Sequence, residues 1–190
     1  MRTRPSAAVV IAVGLPLLLA VAVAAIGITG RLHRVERAGG GTAAPAVETG
    51  PLALVPVDAP DAAGPECAAL LAALPAALPA DDGPLPPRPI ADPSPPAARA
   101  WAAAPHPAVL RCGLTRPAEL SPTSALLEVN GVQWLQLDDG LPEPEMTSWV
   151  AVDRPVYVVL TAPTTAGSGA LQTVADVIRQ TLPRTDVAVR

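Results

Sequence analysis

Residues 126–135 read LLEVNGVQWL, and this stretch carries the clearest fold signal in the 190-residue chain. At its centre, Asn130-Gly131 separates two apolar runs. Asparagine followed by glycine favours a type I′ turn, because both central residues of that turn need a positive φ. The stretch therefore predicts a β-hairpin whose turn sets the register. One face pairs Val129 with Val132 and Leu127 with Trp134, and the other pairs Glu128 with Gln133 and Leu126 with Leu135.

More strands flank this hairpin on both sides. The runs at 108–114, 147–152 and 156–162 are apolar and rich in β-branched residues, which is typical of strands. Asp153-Arg154-Pro155 predicts the turn between the last two of them. The central part of the domain is therefore expected to be an antiparallel sheet of four to five strands.

Helices are predicted at both ends of this strand region. Leucines at helical spacing predict a helix over 66–78, and a second apolar stripe predicts one over 170–182. Residues 97–104 predict a further short helix, and the proline-rich residues 79–96 predict an exposed loop. The expected fold class is α+β: an N-terminal transmembrane helix, then a small domain over 65–185 whose antiparallel sheet is packed by two helices.

The N-terminal part predicts a membrane anchor. Residues 7–30 carry no charge, and these 24 residues exceed the roughly 20 that cross a bilayer core. Residues 1–6 would be a cytoplasmic tail, and the domain would lie outside the cytoplasm, at the cell membrane. A signal peptide that is removed after export is the alternative, because small residues near the end of the run resemble a cleavage site.

Residues 31–64 predict a Pro/Gly-rich linker, which would act as a flexible spacer.

The part of the chain from residue 38 onward is acidic. It contains 8 arginines and 16 acidic residues, which gives a net charge near −8. Such a surface repels phosphate backbones, so nucleic acid is not expected as a partner. The expected partners are the membrane, through the single span, and an envelope protein or a cell-wall component.

Cys67 and Cys112 are the only cysteines in the chain. In an exported domain, two cysteines most simply form one disulfide, which here would tie the first helix to the first strand. Two buried free thiols are the alternative. Neither cysteine has a histidine or an acid at the spacing of a catalytic motif.

No catalytic constellation, metal cluster or cofactor motif stands out, so no catalytic residue, metal or cofactor is predicted. The expected function is that of a non-enzymatic binding or structural module of the envelope. Aromatic and arginine side chains dominate binding hot spots. The residues of these types near the strands predict one binding face, namely Trp134, Trp149, Tyr157, Arg111, Arg116 and Arg154. Alternatively, the tryptophans fill a core that is poor in large side chains.

An enzyme is the rival interpretation of the same sequence. It would be an envelope hydrolase or transferase that uses dispersed acids such as Glu128, Asp138 and Asp153. Distance along the chain does not forbid their convergence in the fold.

Four segments resemble the actinobacterial domain-of-unknown-function 3515 family of membrane-anchored or lipid-anchored envelope proteins. They are CAALLAALP from residue 67, VLRCGL from 109, VNGVQW from 129 and VDRPVYV from 152. The resemblance spans about residues 65–182, and the two cysteine-bearing segments are its most specific part. It implies the domain boundary, the paired cysteines and export, and it implies no activity.

Overall fold

The computed structural model describes residues 46–189. The predicted cytoplasmic tail and membrane anchor lie outside these residues. Within them, no helix combines the length and the apolar character that a membrane crossing requires.

A seven-stranded antiparallel sheet forms the centre of the domain. The antiparallel arrangement was predicted, but the sheet has more than the expected four to five strands. Its spatial order is β1-β2-β3-β7-β6-β5-β4. The strands are β1 (Pro87–Arg88), β2 (Ala98–Trp101), β3 (Ala108–Leu114), β4 (Leu126–Val129), β5 (Val132–Asp138), β6 (Met146–Ala151) and β7 (Tyr157–Pro163).

The predicted hairpin is confirmed as β4 and β5, with the predicted register. Leu127 pairs with Trp134, and Leu126 pairs with Leu135. Asn130 and Gly131 have φ values of 49° and 78°, so both central residues take the positive φ that a type I′ turn requires. Local turn chemistry was therefore sufficient to predict this part of the sheet.

Two helices pack on the sheet, α1 (Pro65–Ala73) and α2 (Gly169–Thr181). The apolar stripe of α2 is buried as predicted, with Val174 and Ile178 fully inaccessible to solvent. Helix α1 ends five residues before its predicted end at 78. Its C-cap, Leu74, is extended with a ψ of 135°, because the ring of the following Pro75 disfavours the helical conformation in the residue before it.

The predicted short helix over 97–104 is wrong, since these residues contain strand β2. Ala97 has a positive φ of 48°, which interrupts any helix at that point. Pairing with β3 then overrides the helix propensity of alanine. Trp101 is fully buried, and its indole N–H donates a hydrogen bond of 2.9 Å to the carbonyl oxygen of Ala76.

The prediction of an exposed loop over 79–96 is also incomplete. This segment contains β1, and Leu85 and Arg88 within it are buried. Leu78 and Leu85 exchange two backbone hydrogen bonds of 3.1 and 2.7 Å. The many prolines exclude long regular elements, but they do not keep this segment away from the core.

The two faces of the sheet are covered differently. Both helices pack on one face, called here the helix face, over the larger core cluster. The opposite face, called the loop face, carries a smaller cluster formed by Leu120, Leu135, Val150 and Val152. The connection between β3 and β4 contributes Leu120 to this cluster, and the C-terminal tail packs Val187 against it.

Residues 46–64 run along the domain without forming a helix or a strand of their own. Leu52 makes a single parallel bridge with Ile90, and the N–H of Asp61 donates to the carbonyl oxygen of Gly113 over 3.1 Å. We call this segment the strap. The domain boundary at residue 65 stays a prediction. The strap lies within the predicted linker, and its residues Leu52 and Asp61 make the contacts with the domain just described.

Candidate functional site

A disulfide joins Cys67 on α1 to Cys112 on β3. Both residues are fully buried in the main core, and their Cα atoms lie 5.6 Å apart. The predicted covalent link between the first helix and the first long strand is therefore present. Among residues 46–189 no cysteine is left as a free thiol.

The structure distributes the six residues of the predicted binding face over several sites. Trp134 is fully buried on the helix face, and its indole nitrogen has no hydrogen-bond partner in the described part of the chain. Trp149 packs partly buried against the same core. Arg154 is buried in the turn between β6 and β7. These three side chains do not meet on one exposed surface.

The other three residues of that set lie on or beside the loop face. Register places Arg111 opposite Val159, on the same face as Tyr157 two residues earlier. Arg111 donates a hydrogen bond of 3.0 Å to the carbonyl oxygen of Val55 in the strap, and partial burial lowers the pKa of its guanidinium. Arg116 donates to the carbonyl oxygens of Leu120 and of the C-terminal tail. Both arginines hold covering segments against the sheet.

Asp153 and Arg154 form a buried ion pair with 2.9 Å between the Arg154 Nη1 and Asp153 Oδ1 atoms. Their side chains are 1% and 2% exposed. Asp153 Oδ1 also accepts the N–H of Gln133, and Arg154 donates to the carbonyl oxygen of Gly131 over 2.9 Å. The pair therefore fastens the β6–β7 turn to the tip of the β4–β5 hairpin.

The dispersed acids do not gather along the sheet. Asp153 accepts the backbone N–H of Gln133 near the start of β5. Asp138 is the last residue of that strand, five residues after Gln133. At about 3.3 Å per residue the two positions are roughly 17 Å apart. Glu128 is exposed on the edge strand β4. Among residues 46–189 no group of three or more His, Cys, Asp and Glu side chains is placed to hold a metal ion.

A groove opens where β1 separates from β2. The strand β1 pairs with β2 only at Pro87–Trp101 and Arg88–Ala100. Pro89 follows and has no N–H to extend the ladder, and its carbonyl oxygen accepts the N–H of Leu52 in the segment 46–64. The edge of β2 at residues 98–99 is left without a partner from β1.

The resulting groove has a volume of about 560 Å³. Two arginines and one serine are its charged and polar lining residues, and the others are proline, alanine and isoleucine. The lining residues are Ala76, Pro87, Arg88, Pro89, Ile90, Ser94, Ala98, Arg99 and Ala100.

The two arginines of the groove are held by neighbouring carbonyl groups. Arg88, whose side chain is 6% exposed, donates from Nε to Gly50 over 2.8 Å and from Nη2 to the carboxylate of Glu48 over 3.1 Å. Arg99 donates from Nη1 to Leu74 over 3.4 Å. The carboxylate of Glu48, whose side chain is 80% exposed, contacts Arg88 alone of the two.

The family of the chain is shown by a match over most of its length. The family model described as "Protein of unknown function (DUF3515)" matches residues 11–187. The chain belongs to this family. No curated protein and no solved structure matches it. The family match covers the whole domain, including the groove, and assigns no chemistry to it.

Sequence reasoning missed Arg88 and Arg99 as residues that line one groove. Because Arg88 pairs with Ala100, its side chain and that of Arg99 lie on opposite faces of the sheet. The two arginines lie 11 residues apart, in a segment predicted as an exposed loop and a short helix. The usable signal is the alternation of Arg99 and Trp101, which on a strand places both side chains on one face. Alanines on either side of them conceal that alternation, because alanine is compatible with a helix and with a strand.

Proposed function

We propose that this protein is a membrane-anchored, non-enzymatic binding module of the cell envelope, with its C-terminal domain outside the cytoplasm. The uncharged run of residues 7–30 supports the anchor. One structural observation carries the location: the core of the domain is built around the Cys67–Cys112 disulfide. Disulfides form and persist in oxidising compartments and are rare in the cytosol.

The groove between β1 and β2 supports the binding role. It combines apolar lining residues with a few polar and charged ones, a composition typical of recognition sites that orient a ligand through a few polar contacts. The arginines are fixed by the chain's own carbonyl groups, so little ordering of their side chains is needed when a ligand binds.

The location is tested by topology reporters. An enzyme that matures only outside the cytoplasm, fused to the C-terminus, should be active, and the matching cytoplasmic reporter should be inactive. Alkylation in intact cells before lysis should leave Cys67 and Cys112 unmodified unless a reductant is added. The reverse reporter pattern, or two alkylated thiols without reductant, would contradict the proposed location.

The binding role is tested by crosslinking in the native envelope. The tagged full-length chain should capture the same envelope protein or wall fragment in repeated experiments, and a chain carrying only residues 1–64 should not capture it. Turnover of a wall substrate that is abolished by Glu128→Gln or Asp138→Asn, with no enriched partner, would favour the hydrolase or transferase instead.

A further inference from the structure

We propose that the free edge of strand β4 accepts an extended segment of a basic partner protein as an additional strand. This inference rests on the proposed function, because it names a surface and a partner class for that binding module. The strand β4 is the last of the sheet, and within residues 46–189 β5 is its single strand partner. A strand at the edge of a sheet presents unpaired N–H and C=O groups, which another chain can use for β-augmentation.

The register identifies the backbone groups that β4 offers to such a segment. Along an antiparallel pair, successive residues direct their N–H and C=O groups alternately toward the partner strand and away from it. Glu128 is paired with Gln133. The N–H and C=O groups of Gln133 bond on the opposite side of its strand, to Asp153 and Val152. Glu128 therefore directs its own N–H and C=O groups to the free edge, and Leu126 does the same two residues earlier.

The two edges of the sheet are protected differently. At the β1 edge, three of the four residues from 86 to 89 are prolines, which have no N–H, and Leu52 of the strap bridges to Ile90. Prolines and covering segments are ordinary protection for an edge strand. Strand β4 contains no proline, and its Leu127 is 47% exposed. The edge of β4 is therefore the one at which a further strand can pair.

The charge of this edge indicates a basic partner. Glu128 is exposed, and the ion pairs among residues 46–189 engage other carboxylates, so no cation in the described part of the chain neutralises it. The net charge near −8 from residue 38 onward repels a second copy and attracts a basic segment. Opposite charges directly across an antiparallel pair stabilise the pairing. The added strand is therefore expected to place arginine or lysine opposite Glu128 and an apolar side chain opposite Leu127.

The binding test is an NMR titration of the full-length, ¹⁵N-labelled chain in detergent micelles. The probe is acetyl-Thr-Arg-Val-Val-Thr-amide, whose arginine lies opposite Glu128 when the peptide pairs antiparallel with β4. Saturable shifts should be largest for the N–H signals of Leu126 and Glu128, and smaller for Leu127, whose N–H faces β5. The same peptide with glutamate in place of arginine should bind about fivefold more weakly, because a cross-strand attraction becomes a repulsion.

Methylation of single backbone nitrogens of the peptide gives a pattern that is specific to strand addition. In the paired peptide, the N–H of the arginine faces β4 and the N–H of the next valine faces away. N-methylation of the arginine should weaken binding by about tenfold or more, through a lost hydrogen bond and a steric clash. N-methylation of that valine should leave binding unchanged.

Variants of the chain test the charge and the backbone of the edge separately. Glu128→Lys should reverse the preference between the arginine and glutamate peptides. Glu128→Pro removes an outward N–H and none of the N–H groups that bond to β5, and it should weaken both peptides by about tenfold. Glu143→Lys changes an exposed acid between β5 and β6, so it is the matched control and should leave both affinities unchanged.

Several results would overturn the proposal. Equal binding of the arginine and glutamate peptides would exclude a basic partner, and equal losses from the two N-methylated peptides would exclude strand addition. A dimer of the chain that Glu128→Pro dissociates would place a second copy on the edge instead. The peptide comparisons use the unaltered chain, so they decide the matter even if Glu128→Pro does not fold.

Capture from the native envelope separates this proposal from the proposed function. Loss of the captured partner is expected with Glu128→Lys, and retention is expected with Glu143→Lys. Unchanged capture by Glu128→Lys would refute the edge and leave the binding module standing, whereas no capture by the unaltered chain would contradict the proposed function.

Discussion

Replacing Asp153 by asparagine should destabilise the domain by about 3 kcal/mol. The substitution preserves the shape of the side chain and an oxygen that can accept the N–H of Gln133, so it removes mainly the charge. Arg154 would then remain 2% exposed without its counterion. Removing one partner of a buried ion pair costs about 3–5 kcal/mol. The lower value is expected, because Arg154 keeps its bonds to the carbonyl oxygens of Asp153 and Gly131.

The matched control is the exposed pair on α2. Arg179 and Asp176 lie at 3.1 Å, with side chains 54% and 44% exposed. Asp176→Asn removes the same charge at a similar distance, yet it should cost no more than about 0.5 kcal/mol, because water screens exposed pairs. The contrast between the two variants isolates the effect of burial.

Urea unfolding of the full-length chain, followed by tryptophan fluorescence, measures both variants. A second comparison adds Arg154→Met to Asp153→Asn. The double variant should be more stable than Asp153→Asn alone, because it removes the buried charge that the single substitution leaves unpaired. The reasoning is refuted if Asp153→Asn lies within about 1 kcal/mol of the unchanged protein, or if the double variant is the less stable of the two.

Three other outcomes are expected. Replacing Cys67 and Cys112 together by alanine should lower the free energy of unfolding by about 2–4 kcal/mol, since the disulfide closes a loop with a separation of 45 residues; a loss below about 1 kcal/mol in urea unfolding would contradict this. Gly113→Ala should cost about 3 kcal/mol, because its φ is +81° and a Cβ would meet the backbone of the strap. Gly140→Ala, with a φ of +73° and open space, should cost only about 1 kcal/mol, and equal losses would exclude the clash. Backbone N–H groups of the following loop hold the pKa of Asp139 below its ordinary value. This lowered pKa stabilises the folded loop at neutral pH, and the stabilisation should be lost as pH falls through that pKa; an NMR titration of the carboxyl carbon at the ordinary aspartate value would refute it.

The parts of the fold that local chemistry determines were predictable from the sequence. The Asn130-Gly131 turn fixed the register of β4 and β5, since few other dipeptides tolerate two positive φ values. The stripe of α2 was equally clear, because Leu171, Val174 and Ile178 recur at helical spacing and are all buried.

The strand β2 was not predictable in this way. Its sequence, ARAW, is compatible with a helix, and only pairing with β1 and β3 makes it a strand. The strand β3 was predicted, but the other partner is the two-residue strand β1, which the sequence does not indicate. Tertiary contacts therefore decided an element whose local propensity favoured a helix.

The candidate groove escaped prediction for a related reason. Its two arginines come from β1 and β2, and neither strand was predicted. Arg154 was predicted for the binding face because it lies near strand ends, yet the fold buries it against Asp153. Sequence gives the charge of an arginine, but burial and counterion decide whether that charge is available to a ligand.

The difference between Arg154 and Arg88 follows from how easily each counterion can be exchanged. Both guanidinium groups are buried, and both donate to backbone carbonyl oxygens. The acid on Arg154 is Asp153, which is 1% exposed, so a ligand cannot replace it without opening the fold. The acid on Arg88 is Glu48, which extends into solvent from the strap and can leave while the sheet stays intact. The same pairing of cation and carboxylate is therefore part of the buried core in one place and open to exchange with solvent ions in the other.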